Sequence, residues 1–268
     1  MHRFRPLAGL LAAALAACGA GGPQELVATT PASRVKFFNF GVNAPGVNFY
    51  ANDIKLTAAS STACTPPSGP ACLSQGIASA TGTTYGNAAA GGFYAGVAPG
   101  QYTLNSRIAA ATDSGATIAN VPATLDDGKS YSFYVSGIYN ATTKTVDAFV
   151  VEDNYPQRVS ADTTYIRFVN AVSNSGPLTL FFRNPTTSAA TQASPPVAYR
   201  AAGGFVAIPG GLLADLLVRA AGSTTNAAVL TGTSFSAGRV YTITARGDIT
   251  VSSSTAANRP QLDNTPNY

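Results

Sequence analysis

Three cysteines, Cys18, Cys64 and Cys72, are the only thiols in this 268-residue chain, and its single histidine is His2. Beyond residue 2 a Ser-His-Asp or Cys-His nucleophile therefore has no imidazole base. Two cysteines without a histidine beside them also fall short of a zinc ligand set. The four lysines show no recognisable Ser-Lys spacing, and the only glutamates are Glu25 and Glu152. Acid–base work would fall to Asp126, Asp127, Asp147, Glu152 and Asp153, and a hydrolase needs at least two such carboxyls in one cleft. Asp126-Asp127-Gly128 has the composition of a turn, and neither it nor Glu152-Asp153-Asn154 alternates oxygen ligands as a calcium loop does. Gly91-Gly92 and Gly203-Gly204 lack the spacing of phosphate-binding loops and are expected in bulges or tight turns. The expectation is a protein that is not an enzyme, with no catalytic, cofactor-binding or metal-binding residue and no cofactor.

The N-terminus carries a different chemistry. Arg3 and Arg5 precede an apolar run from Leu7 to Ala17, which closes as Leu15-Ala16-Ala17 before Cys18. A charged start, a short apolar run and small residues at its end describe a secretory signal, too short to cross a bilayer as a helix. With cysteine at the cut, the segment resembles a bacterial lipoprotein signal. That resemblance implies removal of residues 1–17, acylation (palmitate included) of Cys18, and anchoring of the mature chain to a membrane through lipid. The alternative is a plain secretory signal with a chance cysteine. Gly19 follows, where an aspartate retains some lipoproteins in the inner membrane, so the resemblance favours the outer membrane. Residues 18–32, rich in Gly, Pro and Thr with one charge, read as a flexible tether reaching about 20 Å.

Without residues 1–17 the chain keeps 14 basic and 12 acidic residues. A nearly neutral surface with 10% charged residues carries no footprint for nucleic acid. The 12 Tyr and 13 Phe, with many Val, Ile and Leu, provide material for a core.

The chain also repeats itself. Pro99-Gly100 recurs at Pro209-Gly210, Gly128-Lys129-Ser130-Tyr131 at Gly238-Arg239-Val240-Tyr241, and Asp153-Asn154 at Asp263-Asn264, all offset by 110. Phe37-Phe38-Asn39 matches Phe168-Val169-Asn170 at an offset of 131. These matches describe a tandem duplication, residues 33–154 and 163–268, joined by a linker over 155–162. The fall in offset places about 20 extra residues in the first unit, carrying Cys64 and Cys72. In an exported protein two cysteines so close pair as a local disulfide, the alternative being free thiols in a loop.

Within each unit the periodic segments alternate with period two. Tyr131-Ser132-Phe133-Tyr134-Val135-Ser136 and Val240-Tyr241-Thr242-Ile243-Thr244 are short, β-branched or aromatic, and bounded by Gly, Pro and Asp turns. Leu212–Ala221 contains good helix formers, but its partner in the repeat begins as a strand, so Leu212–Val218 is expected to be a strand. Tyr131 and Tyr134 must face opposite sides of their strand, which leaves one of them, with Tyr139, a candidate for surface recognition of sugars or peptides; core packing is the other role. The fold class expected is all-β: two tandem antiparallel β-sandwiches, Ig-like or transthyretin-like, after a signal peptide and flexible tether.

Arg34-Val35-Lys36-Phe37-Phe38-Asn39, then Val47-Asn48-Phe49-Tyr50, Val97-Ala98-Pro99-Gly100-Gln101-Tyr102 and Phe235-Ser236-Ala237-Gly238-Arg239-Val240-Tyr241 resemble the bacterial domain-of-unknown-function family 4397. Ile166-Arg167-Phe168-Val169-Asn170-Ala171 repeats that opening, so the resemblance takes in most of both units. It implies an exported or cell-surface protein of unknown biochemistry and carries no catalytic set. The functions left standing are structural or adhesive display at the envelope and a module binding a glycan, a peptide or an envelope partner protein.

Overall fold

The computed structural model describes residues 32–57 and 81–267. The first sandwich is built from β1 (Ser33–Asn39), β2 (Val47–Ala51), β3 (Ile54–Lys55), β4 (Asn87–Ala88), β5 (Ala95–Val97), β6 (Gly100–Ile108), β7 (Thr117–Leu125), β8 (Ser130–Asn140) and β9 (Thr145–Glu152). The second repeats the plan with β10 (Thr163–Asn170), β11 (Leu178–Arg183), β12 (Ala190–Gln192), β13 (Ala201–Ala202), β14 (Val206–Pro209), β15 (Leu212–Ala220), β16 (Ala228–Phe235), β17 (Val240–Arg246) and β18 (Gln261–Pro266). Each contains a five-stranded sheet, β4/β5-β1-β8-β9 or β13/β14-β10-β17-β18, facing a four-stranded one, β3-β2-β6-β7 or β12-β11-β15-β16. Ladders are antiparallel except for one pair per sandwich, β1 with β8 and β10 with β17, which run parallel. Leu212–Ala220 is a strand as expected, because β11 and β16 flank it and its Leu216 and Val218 fill the second core.

Registers fix how the two copies correspond. Arg34 lies opposite Ser130 and Tyr165 opposite Val240, reproducing offsets of 131 on the first strand and 110 on the eighth. Gly128 and Gly238, in equivalent turns, share a φ of +72° that favours glycine. The last strand departs from the sequence alignment: Glu152 faces Tyr131 whereas Pro266 faces Tyr241, an offset of 114. The second unit holds four more residues before its final strand. Asp153 therefore corresponds to Asn267, and the Asp153/Asp263 match in the sequence is out of structural register.

Each sandwich closes over its own core. Val35, Phe37, Phe49, Leu104, Tyr131, Phe133 and Val135 belong to the first, and Ile166, Phe168, Leu180, Leu216, Val218, Phe235 and Ile243 to the second. A third cluster joins Phe38, Phe40, Tyr134 and Phe149 of the first unit to Val169 and Ala171 of the second. The five-stranded sheets thus pack on each other, and β1 and β8 are buried on both faces. This explains why β1 reads Val35-Lys36-Phe37-Phe38 with no solvent-facing alternation. It also gives Tyr131 and Tyr134 the core-packing role rather than the surface one. Tyr131 enters the first core, while Tyr134, fully buried, stacks between Phe38 at 4.6 Å and Phe149 at 5.0 Å between ring centroids. Burial pushes the Tyr134 hydroxyl up to about 12.

Truncating that central ring opens a void that rigid sheets on both sides cannot close. Tyr134→Ala is expected to lower unfolding free energy by about 3–5 kcal/mol, measured by urea denaturation.

Candidate functional site

The densest chemistry among the described residues lies between the two five-stranded sheets. Strand alternation sends Lys36 and Ser132 out of the first core and Arg167 and Thr242 out of the second, and all four meet in the shared layer. The Arg167 guanidinium donates to the Glu152 carbonyl at 2.9 Å, to the Thr242 hydroxyl at 3.0 Å, and to the Asp153 carboxylate. Both ion-pair side chains are essentially inaccessible, 1% and 0% exposed, so water supplies none of their solvation. The other Asp153 oxygen accepts from Ser132 at 2.8 Å and from the Tyr94 hydroxyl at 2.7 Å. Burial beside that carboxylate raises the Tyr94 hydroxyl far above its usual range, fixing it as a donor. Phe205 lies 4.9 Å from the guanidinium, adding a ring face.

Lys36 occupies the mirrored position. Its Nζ donates to the Pro266 carbonyl and sits 4.4 Å from the Tyr94 ring centre. Desolvation pulls its ammonium down from 10.5 to about 8; Asp153 opposes the shift and Arg167 reinforces it. Asn267 completes the set, its Nδ2 donating to Thr242 at 2.9 Å. Registers make each group one half of a pair across a pseudo-twofold: Lys36 with Arg167, Ser132 with Thr242, Tyr94 with Phe205, Glu152 with Pro266, and Asp153 with Asn267. Each cation reaches across to the last strand of the other unit, as in a two-fold interface between identical subunits.

The carboxylates singled out in the sequence are not gathered in a cleft. Asp126 and Glu152 converge only on Lys129, at 3.0 and 3.2 Å, on exposed surface. Asp127 accepts from the Ala32 amide at 2.9 Å, and Asp147 accepts from the Tyr199 hydroxyl at 3.0 Å. Of the five, Asp153 alone is buried. Gly91 and Gly92 occupy a 3-10 turn with positive φ. No group of three His, Cys, Asp or Glu suited to a metal ion occurs among the described residues. Cys18, Cys64 and Cys72, with the lipidation and disulfide expected of them, lie outside the described residues. Surface depressions formed by described residues include the following two. A larger depression, of about 600 Å³, is walled by Asn226, Ser252, Ser253, Ser254 and Arg259 at one end of the second sandwich. A smaller depression, of about 360 Å³, lies against Asn52, Gln101 and Thr103. Sequence reasoning did not pick out Lys36, Arg167 or Asn267. The available signal was a basic residue at the same place in both copies of the opening motif, Arg34-Val35-Lys36-Phe37 and Tyr165-Ile166-Arg167-Phe168.

Part of the sequence that folds this way is matched by a family model. The model for a domain of unknown function, DUF4397, matches residues 33–181, which is more than half of the chain. The chain belongs to that family. The match takes in the first sandwich together with β10 and part of β11; the remainder of the second sandwich lies beyond it. No curated protein matches the chain. Among solved structures, a leucine-rich repeat protein from Bacteroides thetaiotaomicron is similar at 10% identity and a TM-score of 0.17 over 79% of this chain. The chain spans about a quarter of that protein's length, and a likeness of this degree carries no argument.

Removing one member of a buried ion pair strands the other, whereas replacing both with apolar groups does not. Asp153→Ala is expected to cost about 3–5 kcal/mol and the double variant Arg167→Met/Asp153→Leu substantially less, compared in a double-mutant cycle by denaturant unfolding.

Proposed function

We propose that the protein is a non-enzymatic, lipid-anchored component of a bacterial cell envelope that holds two β-sandwiches at the membrane surface as one stiff block. The observation that carries this reading is the N-terminal segment: Arg3 and Arg5, the apolar run, and Cys18 at its end. Acyl chains on Cys18 hold the chain to the bilayer, and more than one is needed for firm attachment. The tether then lets the block stand just clear of the head groups. Gly19 favours the outer membrane, and a Cys64–Cys72 bond would close the loop that distinguishes the first unit. The structural employment of the acidic residues supports a non-catalytic role. Asp153 is enclosed by Arg167, Ser132 and Tyr94, and Asp126 and Glu152 share one lysine.

A structural or adhesive task suits a block whose two halves share a core. The serine-rich depression with Asn226 and Arg259 supports a second reading, a site for a glycan or peptide that accepts and donates hydrogen bonds. Saturable binding to a glycan or envelope-component array, lost in Arg259→Ala, would favour it; a flat response would leave display as the function.

Cys18→Ser is expected to abolish acylation and to move the protein from the membrane pellet to the soluble fraction after carbonate extraction. If the variant still pellets with membranes, another element anchors the chain and the reading fails.

A further inference from the structure

The connection from β17 to β18, residues 247–260, is longer than its counterpart in the first sandwich, the turn 141–144 between β8 and β9. It is fastened at its base, where the Asp248 amide donates to the Asn258 carbonyl at 2.8 Å. The Asp248 carboxylate is engaged in holding the segment, accepting from the Asn174 amide and the Thr250 hydroxyl, each at 2.6 Å. Ile249 packs against the second core, and Ser252, Ser253 and Ser254 line the depression of about 600 Å³. The turn between β15 and β16 lines it as well. There Arg219, 4.7 Å from the Phe181 ring, donates to the Asn226 side-chain oxygen at 2.8 Å. That contact leaves the Asn226 Nδ2 as a donor with no partner among the described residues. The Ser223 oxygen accepts from the Thr225 amide at 3.1 Å, so its hydroxyl proton is free to donate. Arg259 donates only through one terminal nitrogen, to the Ala256 carbonyl at 2.9 Å, and forms no ion pair among the described residues. Val229, 45% exposed, Val251 and Pro260 add apolar surface, and no carboxylate belongs to the described lining.

We propose that this depression binds an acidic sugar, a hexuronate unit of an oligosaccharide, with its carboxylate on Arg259. The proposal rests on the reading of the depression as a binding site and names the chemistry of its ligand. A guanidinium with unused N–H groups and no acid beside it matches a planar carboxylate, which accepts two parallel hydrogen bonds. A neutral sugar would leave that charge without a partner. Asn226 Nδ2 supplies a further donor, held in place by Arg219. Five hydroxyl side chains line the depression, from Ser223, Thr225, Ser252, Ser253 and Ser254. Hydroxyls donate and accept, as sugar hydroxyls do, and their density suits a saccharide better than a peptide, whose own polar groups are mostly amides. Val229, Val251 and Pro260 give the C–H face of a pyranose ring apolar surface to cover. The volume also falls in the range of small-ligand sites, about 300–1,000 Å³.

The test is calorimetric titration of the full-length chain in detergent with trigalacturonate and trimannuronate, each beside its methyl ester. The ester keeps the ring and hydroxyls and removes only the charge. The expected result is saturable binding of at least one acid, weakened by about tenfold or more in its ester and in Arg259→Gln. Added salt should weaken the acid and leave the ester unchanged. Equal affinity for acid and ester, lost in Arg259→Gln, would overturn the proposal while the depression remained a glycan site. Acid binding undiminished in an Arg259→Gln variant that unfolds like the parent would overturn it too, by placing the ligand elsewhere. Absence of binding by both acids would also overturn it, and the array response then decides separately whether the depression takes another ligand. The comparison of acid with ester is read on the parent chain, so it needs no variant to fold.

Discussion

A guanidinium taken wholly out of water must find its solvation in the protein, and Arg167 finds it only by bridging two sandwiches. Its partners are the end of the first unit's last strand, Glu152 and Asp153, and the Thr242 hydroxyl of its own sheet. Pulling the units apart would expose this ion pair, but on the way it would leave a buried charge with no partner. Such a contact tolerates little sliding. Hydrophobic packing of Phe38, Tyr134, Phe149 and Val169 supplies the area of the joint, and the polar cluster fixes its register. The linker after β9 begins at the same place: Tyr155 lies against the Phe205 ring that also faces Arg167, so the chain is held where it passes from one unit to the next.

This dependence changes what the duplication means. Two similar domains on a flexible linker would each need a sealed outer surface on all sides. Here the exposed face of each five-stranded sheet has become interior, and the pseudo-twofold lets one motif serve both sides of the contact. The copies have since diverged at the contact itself, Lys36 for Arg167 and Asn267 for Asp153, while the strands around them keep their pairing. Differences between the halves of a symmetric site are expected once a fused pair no longer has to satisfy both halves with a single sequence.

Much of this was legible in the residues. Period-two alternation located β8 and β17, and the repeat turned the Leu-rich segment at Leu212 into β15 despite its helix formers. What could not be read was the destination of the polar face. Ser132, Thr242 and Thr244 alternate with core residues, and alternation of that kind is taken to mean solvent. Instead they face the other sheet, where Ser132 donates to Asp153, Thr242 accepts from Arg167, and Arg167 pairs with Asp153. The double aromatic Phe37-Phe38 was the one local hint that β1 lacks a wet side. The register of the last strand was hidden for another reason. Asp-Asn recurs by composition, and only the ladder partners reveal that Asn267 stands where Asp153 does.

The surface chemistry follows from the same economy. Beyond Glu25 the acids are ten aspartates and Glu152, set against fourteen basic side chains, so each ion pair consumes a large share of what is available. Arg183 is held by Asp215, whose carboxyl is kept below its usual range by the Gly232 amide and by that arginine; Arg246 is held by Asp263. Arg246 also lies over the Phe40 and Tyr85 rings, extending the joint toward its edge. Other ion pairs lie at the surface, Arg107 with Asp53, Lys129 with Asp126 and Glu152, and Lys144 with Asp113.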